Sequence, residues 1–270
     1  MHLAVLLGRL AWMISLVAPV VMGGAVSAAA QSGLDIMEKQ RALQRARDEV
    51  ETSILKIYSK TGDVKERRLM SYATTPRDGF TKTLLRFLAP RDVENTGLLT
   101  WEGKDGNDDQ WLYLPATRKV KRIAASGKKN RFMDTDFSYE DLRPENLALH
   151  RYTLVGAESV DDQDCYVVEA RPANEREAAD SGYSLRKLWI RKDNYATVKQ
   201  ELYERKGRLE KTTVSRGMVN VKGTLWRARE IEMRDVQAGT RTVMIVESRS
   251  LDTGLKDSFF TEAELTRGGP

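Results

Sequence analysis

The sequence predicts a mainly β domain of the α+β class, built on one antiparallel sheet that must curl or close to hide its edges. Three observations lead there. From Thr52 onward, segment after segment alternates apolar and polar residues with a period of two. Short turns carrying Gly, Asp or Asn separate these segments. Only one long stretch, residues 34–47, has the composition of a helix with neither Gly nor Pro inside it. The 270 residues, 41% hydrophobic and 31% charged, suit a single globular domain over 31–270. A mean hydropathy of -0.50 excludes a protein of many membrane spans.

The first thirty residues differ in kind. A start bearing Arg9, an uncharged apolar run at 10–22 and crowded small residues at 23–30 describe a secretory signal peptide, with cleavage expected between Ala30 and Gln31. Cleavage after Ala28 competes, as does an uncleaved anchor, because 10–30 is nearly long enough to span a bilayer. No Cys follows the run, so there is no lipobox. The expected location is the periplasm. Cys165 is the sole cysteine, so no intramolecular disulfide is available, and its setting in DCYVVEA predicts a half-buried thiol. The net charge of +5 and a pI near 9.2 call for anionic partners. For an exported protein those are lipid head groups or acidic protein surfaces, and nucleic acid is not expected.

In order, the helix at 34–47 carries Ile36, Met37 and Leu43 as a thin apolar stripe, which suits a packing element or lid over a sheet. Strands are expected at 54–58 and 65–74 around a TGD turn, at 81–88 before Ala89 and Pro90, at 98–101, and from Trp111. The rhythm returns at 152–160, 165–170, 184–191, 197–203, 208–215, 224–233 and 240–249. Residues 172–182 form a loop or short helix, and Ser258 or Thr261 can cap a helix in the tail.

Between these halves lies QWLYLPATRKVKRIAASGKKNRFMDTDFSYEDL, residues 110–142, which matches no catalytic motif. Its WLYLP, KVKRI and FMxxDFxYEDL segments resemble the outer membrane lipoprotein-sorting protein-like family, within the lipoprotein-carrier superfamily. The resemblance runs from about 34 to about 265. It implies an open, highly curved antiparallel half-barrel closed by helices, a role in envelope lipid or lipoprotein handling, and association with membrane transporters of the resistance-nodulation-division type.

The candidate ligand-binding residues come from this central segment and its neighbours. On a strand, Lys119 and Lys121 share one face, with Arg118, Val120 and Arg122 on the other. Arg118, Lys121, Arg122 and Lys128 then either hold an anionic head group at the mouth of an apolar groove or guard a solvated sheet edge. Trp101, Trp111, Tyr113, Phe132, Phe137 and Tyr139 form either a ligand wall or core. Trp111 and Tyr113 share one strand face while Leu112 and Leu114 share the other, so this strand is covered on both sides. Asp134, Asp136, Glu140 and Asp141 lack the Gly-bearing cage of a calcium loop and suit charge pairing with Lys128, Lys129 and Arg131, or helix capping. His150 is the only histidine outside the leader, and no GxSxG elbow, zinc spacing or phosphate-binding loop accompanies it. The chain therefore suggests no enzyme and no cofactor. The function expected is a carrier of lipid or lipoprotein acyl chains, with a lipid-binding sensor or transporter accessory as the alternative and a hydrolase a distant third. If the leader is cleaved as expected, N-terminal sequencing of the exported protein returns Gln31; an intact Met1 in the membrane pellet is the result for an anchor.

Overall fold

The computed structural model describes residues 31–76, 79–104, 106 and 108–267, so the expected leader at 1–30 lies outside the described residues. Helix α1 (Gly33–Gln44) comes first, followed by strands β1 (Asp48–Tyr58), β2 (Val64–Thr74), β3 (Lys82–Ala89), β4 (Gly97–Trp101), β5 (Asp109–Leu114) and β6 (Lys119–Arg122). An irregular segment, 123–149, with two short 3-10 turns leads to β7 (His150–Val160), β8 (Gln163–Pro172) and α2 (Glu175–Asp180). Then come β9 (Tyr183–Arg191), β10 (Thr197–Glu204), β11 (Leu209–Arg216), β12 (Val219–Lys222), β13 (Leu225–Arg227), β14 (Glu230–Asp235), β15 (Thr240–Leu251) and α3 (Glu262–Thr266).

Thirteen strands form one sheet in the order β6-β5-β4-β3-β2-β1-β15-β14-β11-β10-β9-β8-β7. Successive hairpins build both halves, and β15 joins them by pairing antiparallel with β1 on one side and β14 on the other. The sheet is not closed: β6 and β7 are its edges. No helix among the described residues is long and apolar enough to cross a membrane.

Strand alternation assigns two faces, here called inner, the side of α1 and the 123–149 segment, and outer. On the inner face Leu55, Leu69, Phe87, Leu98 and Leu112 pack with Phe132 and Tyr139 of the irregular segment. Farther along, Ile36 and Met37 of α1 pack on Val168, Ala170, Leu188 and Ile190. On the outer face Tyr72, Leu84 and Leu99 lie under Phe260 and Leu265 of the C-terminal segment, together with Trp111 and Tyr113. Both faces of β5 are therefore covered, as the apolar pattern WLYL required. The outer cover ends in α3, whose N-cap Thr261 accepts from the Glu264 N–H.

The structure corrects several expectations. The first helix stops at Gln44, because Arg45 is already extended, and β1 starts at Asp48, six residues before the expected Ile54. Its first half escapes the pattern because Glu49 and Glu51 face inward, where Arg227 and Arg249 neutralise them at 2.9 and 2.5 Å. Residues 224–233 are not one strand. Arg216 pairs with Glu230, and the residues between them form the separate β12–β13 hairpin. Its entry is Gly217, whose φ of +63° lies in the left-handed region. Arg118 sits in the β5–β6 turn with φ 51° rather than on the basic strand. Finally, 172–182 resolves into the short helix α2, capped by Asn174.

The C-terminal cover is expected to be essential for stability. Phe260 is fully buried, so Phe260→Ala should lower the unfolding free energy by about 3–5 kcal/mol, read from the urea midpoint.

Candidate ligand-binding hollow

Helix α1 begins with a capping box in which Ser32 Oγ accepts from the Asp35 N–H and the Asp35 carboxylate accepts from the Ser32 N–H. Its first residue lies so close to β7 that a Cβ at Gly33 would meet the Tyr152–Leu154 backbone at 2.7–2.8 Å. Only glycine permits that approach. From there α1 bridges the inner face. On one side Gln40 donates to Thr197 Oγ1 at 2.6 Å and Gln44 donates to the Asn194 carbonyl at 2.6 Å. On the other, Arg41 and Arg45 both reach the fully buried Glu102 carboxylate, at 2.7 and 2.5 Å.

Beneath the bridge is a hollow of about 520 Å³, within the size range of small-molecule sites. Met37, Ala73, Leu142, Leu147, Met218, Trp226, Ala228 and Ile231 supply its apolar surface. Its charged lining is Arg41, Arg45, Arg143, Arg227, Glu49 and Glu145. The arginines are already engaged: Arg227 with Glu49, and Arg143 with Asp108 at 3.3 Å, besides the two on Glu102.

One wall of the hollow, residues 142–147, is irregular backbone held by a buried ion cluster. Glu140 accepts from Arg186 at 2.8 Å, from the Ser181 hydroxyl at 2.5 Å and from the Gly182 N–H at 2.8 Å, with Arg143 at 3.8 Å. Burial alone would raise the Glu140 carboxyl, but Arg186 and Arg143 hold it down at about 2. Arg186 also faces Glu145 at 3.6 Å, and Glu145 accepts from the Tyr152 hydroxyl at 2.5 Å. His150 closes the cluster, its Nδ1 3.7 Å from Glu145. Burial, then the nearby Arg186, depresses its pKa to about 4, so it is neutral at neutral pH.

None of the sequence-derived candidates lines this hollow. Phe132 and Tyr139 are core: Phe132 stacks on Phe87 at 5.6 Å and meets Tyr139 edge to face at 5.6 Å. Phe137 packs with Tyr183, Leu202 and Met233. Trp101 and Trp111 meet edge to face at 4.9 Å on the outer face, where the Trp101 indole donates to the Phe260 carbonyl and Tyr113 packs alongside. Arg118 and Lys121 are exposed at the β6 edge, and Arg122 there pairs with Asp109. The basic strand is thus an edge of the sheet and no wall of the hollow. Lys128 donates to the Asp108 carbonyl at 2.8 Å and, with Arg122, lines a separate polar cleft of about 250 Å³.

The acidic residues have local partners. Asp136 accepts from Thr240 and Thr242 at 2.5 and 2.7 Å, with Arg131 at 3.3 Å, while Asp141 takes Ser138, Tyr183 and Lys211. Asp134 is exposed beside Arg67 at 3.6 Å. Cys165 is more deeply buried than expected, at 0% exposure, and burial pushes its thiol up. Sequence reasoning missed Arg186 and Glu102. The one signal for Arg186 was its position between inward-facing residues of β9.

The arrangement is a broad, open antiparallel sheet spanned on one face by a helix, with an apolar-walled hollow between them. A family model described only as an uncharacterized protein matches residues 79–267. The chain is 31% identical to a Vibrio parahaemolyticus domain described as outer membrane lipoprotein-sorting, over 87% of this chain and 98% of that one, with a TM-score of 0.82. A DUF1329 family protein from Desulfovibrio piger is 29% identical over 86% and 97%, with a TM-score of 0.80. A LolA superfamily protein from Nitrosomonas europaea, 20% identical over 86% and 99% with a TM-score of 0.68, shares the fold. No curated protein matches the chain. The chain belongs to the outer membrane lipoprotein-sorting protein-like family.

The buried cluster has a pH consequence. His150 has a folded pKa of about 4, below its ordinary 6.5, so the unfolded chain binds the extra proton first. Stability is fully present above about pH 6.5 and falls as pH drops toward 4, by up to about 3 kcal/mol. Glu140, held near 2 against an ordinary 4.5, adds a further loss from about pH 4.5 toward 2. Urea unfolding at stepped pH should show both limbs, and His150→Gln should remove the upper one alone.

Proposed function

We propose that this protein is a non-enzymatic periplasmic carrier that holds the acyl chains of a lipid or lipoprotein in the hollow under α1. The observation that carries the reading is the hollow itself. It is apolar where Met37, Met218, Trp226 and Ile231 line it, and its arginines are occupied by carboxylates. A chain entering it leaves water for apolar surface, at about 0.8 kcal/mol per buried CH₂, while the charges keep their partners. Such a site needs no catalytic group. His150, the one body histidine, is buried and neutral beside Glu145 behind the wall.

In this reading the sheet acts as a half-barrel and α1 as its closing helix, tied down through the Arg41–Glu102 and Arg45–Glu102 contacts. The relative described as lipoprotein-sorting supports an envelope role after export. A membrane transporter of the resistance-nodulation-division type is the partner this role suggests for loading or delivery.

The test is to fill the hollow. Ala73→Phe places a ring in it from β2, and Lys121→Gln alters only the exposed edge. Purified from its native envelope, the parent should carry lipid identifiable by mass spectrometry and bind a fluorescent fatty acid. Ala73→Phe should weaken that binding at least about tenfold, with Lys121→Gln unchanged. Equal binding by all three would sink the proposal.

A further inference from the structure

We propose a second binding site, on the outer face beside α2, for phosphate-bearing anions: the head groups of an anionic lipid surface, or free phosphate. Arg151, Arg171 and Arg205 converge there on a recess of about 490 Å³ whose other polar side chains are Asn174, Ser184 and the acid Glu175. Arg151 and Arg171 are register partners on β7 and β8. Two like charges directly opposite on one face of an antiparallel pair destabilise it. Their neighbours Tyr152 and Ala170 pack with α1 on the inner face, so alternation puts the two arginines on the outer one. The recess and the hollow are on opposite sides of the sheet.

How these guanidinium groups are held matters more than their number. Arg171 has Glu169 at 3.0 Å. Arg151 donates Nη1 to the Ala173 carbonyl at 2.7 Å. Arg205 donates Nε and Nη2 to the Ser181 carbonyl at 3.2 and 3.0 Å, and Nη2 also to the Ala179 carbonyl. Among the described residues, neither Arg151 nor Arg205 forms an ion pair with a carboxylate. Carbonyls orient a guanidinium without cancelling its charge. The arginines of the hollow, each on a carboxylate, are the opposite case. Three positive groups, two of them fixed and uncompensated, gain most from a group that accepts forked hydrogen bonds and carries negative charge, which is what phosphate does.

The test sediments the protein with vesicles of phosphatidylcholine alone or mixed with phosphatidylglycerol, and titrates inorganic phosphate by calorimetry. Arg151→Gln/Arg205→Gln is compared with Arg68→Gln/Arg234→Gln, an equal charge change at two exposed arginines already paired with Glu247 and Glu232. Expected is binding to the mixed vesicles, weakened about tenfold by the first pair and not by the second. Binding of inorganic phosphate without vesicle binding upholds the site and assigns it to the free anion. Equal loss in both pairs, or no response of the parent to either probe, overturns it. Phosphate-induced amide shifts confined to Asn174, Ser184 and their neighbours report on the unmodified protein, so the answer does not depend on how the variants fold. Ala73→Phe, which fills the hollow, leaves this binding unchanged, so failure of one reading is distinct from failure of the other.

Discussion

The Glu140 carboxylate anchors more of this molecule than any other single group. It is buried and contacted by two guanidinium groups, a hydroxyl and a backbone N–H. An isolated carboxylate in that position would be strongly destabilising, and one that accepts three hydrogen bonds beside two guanidinium groups is not. The consequence is spatial. Arg186, Ser181 and Gly182 belong to β9 and the turn before it, so Glu140 fastens the irregular 123–149 segment to the second half of the sheet. Phe132 and Tyr139 fasten the same segment to the first half. An element with no regular hydrogen-bond ladder thereby gains a defined position, and the hollow gains its wall.

That segment solves a problem of coverage. Thirteen strands present two broad faces, and the described helices are three, of which only α1 exceeds six residues. The chain covers the rest with irregular backbone: 123–149 inside, and the C-terminal segment with Phe260 and Leu265 outside. Over the inner surface near Ala73 and Ile231, the 123–149 segment contributes only the wall formed by 142–147. What remains there is bridged by α1 and left hollow.

The sequence reveals the strands well and the site poorly, for a physical reason. Period-two alternation reports which residues share a face, and it located nearly every strand. It also located the double coverage of β5, through Trp111 and Tyr113 on one side and Leu112 and Leu114 on the other. Alternation fails where an inward position is charged and neutralised from afar. Glu49 and Glu51 look like solvent-facing residues until Arg227 and Arg249, some two hundred positions later, are brought against them. Arg186 and Glu102 are hidden in the same way. The basic and aromatic residues of 110–142 drew notice because they are clustered in sequence. Folding disperses them to an edge, to the core and to the outer face. The hollow is assembled instead from segments spread along the chain between Met37 and Ile231, and no local motif announces it.

The pairing of charges in the hollow also bears on what can occupy it. Releasing both Arg41 and Arg45 to meet a ligand's head group would leave Glu102, whose side chain is fully buried, with only the Thr81 N–H, and a buried carboxylate stripped of its cations costs several kcal/mol. A head group must therefore supply its own compensation or remain outside. For an acyl chain held there, affinity would rest on chain length and on the apolar lining from Met37 to Ile231, changing by a similar increment with each methylene. Selectivity for charge has to be sought elsewhere on the surface, where cations stand oriented and unneutralised. Arg151 and Arg205 meet that condition, on the face of the sheet opposite the hollow.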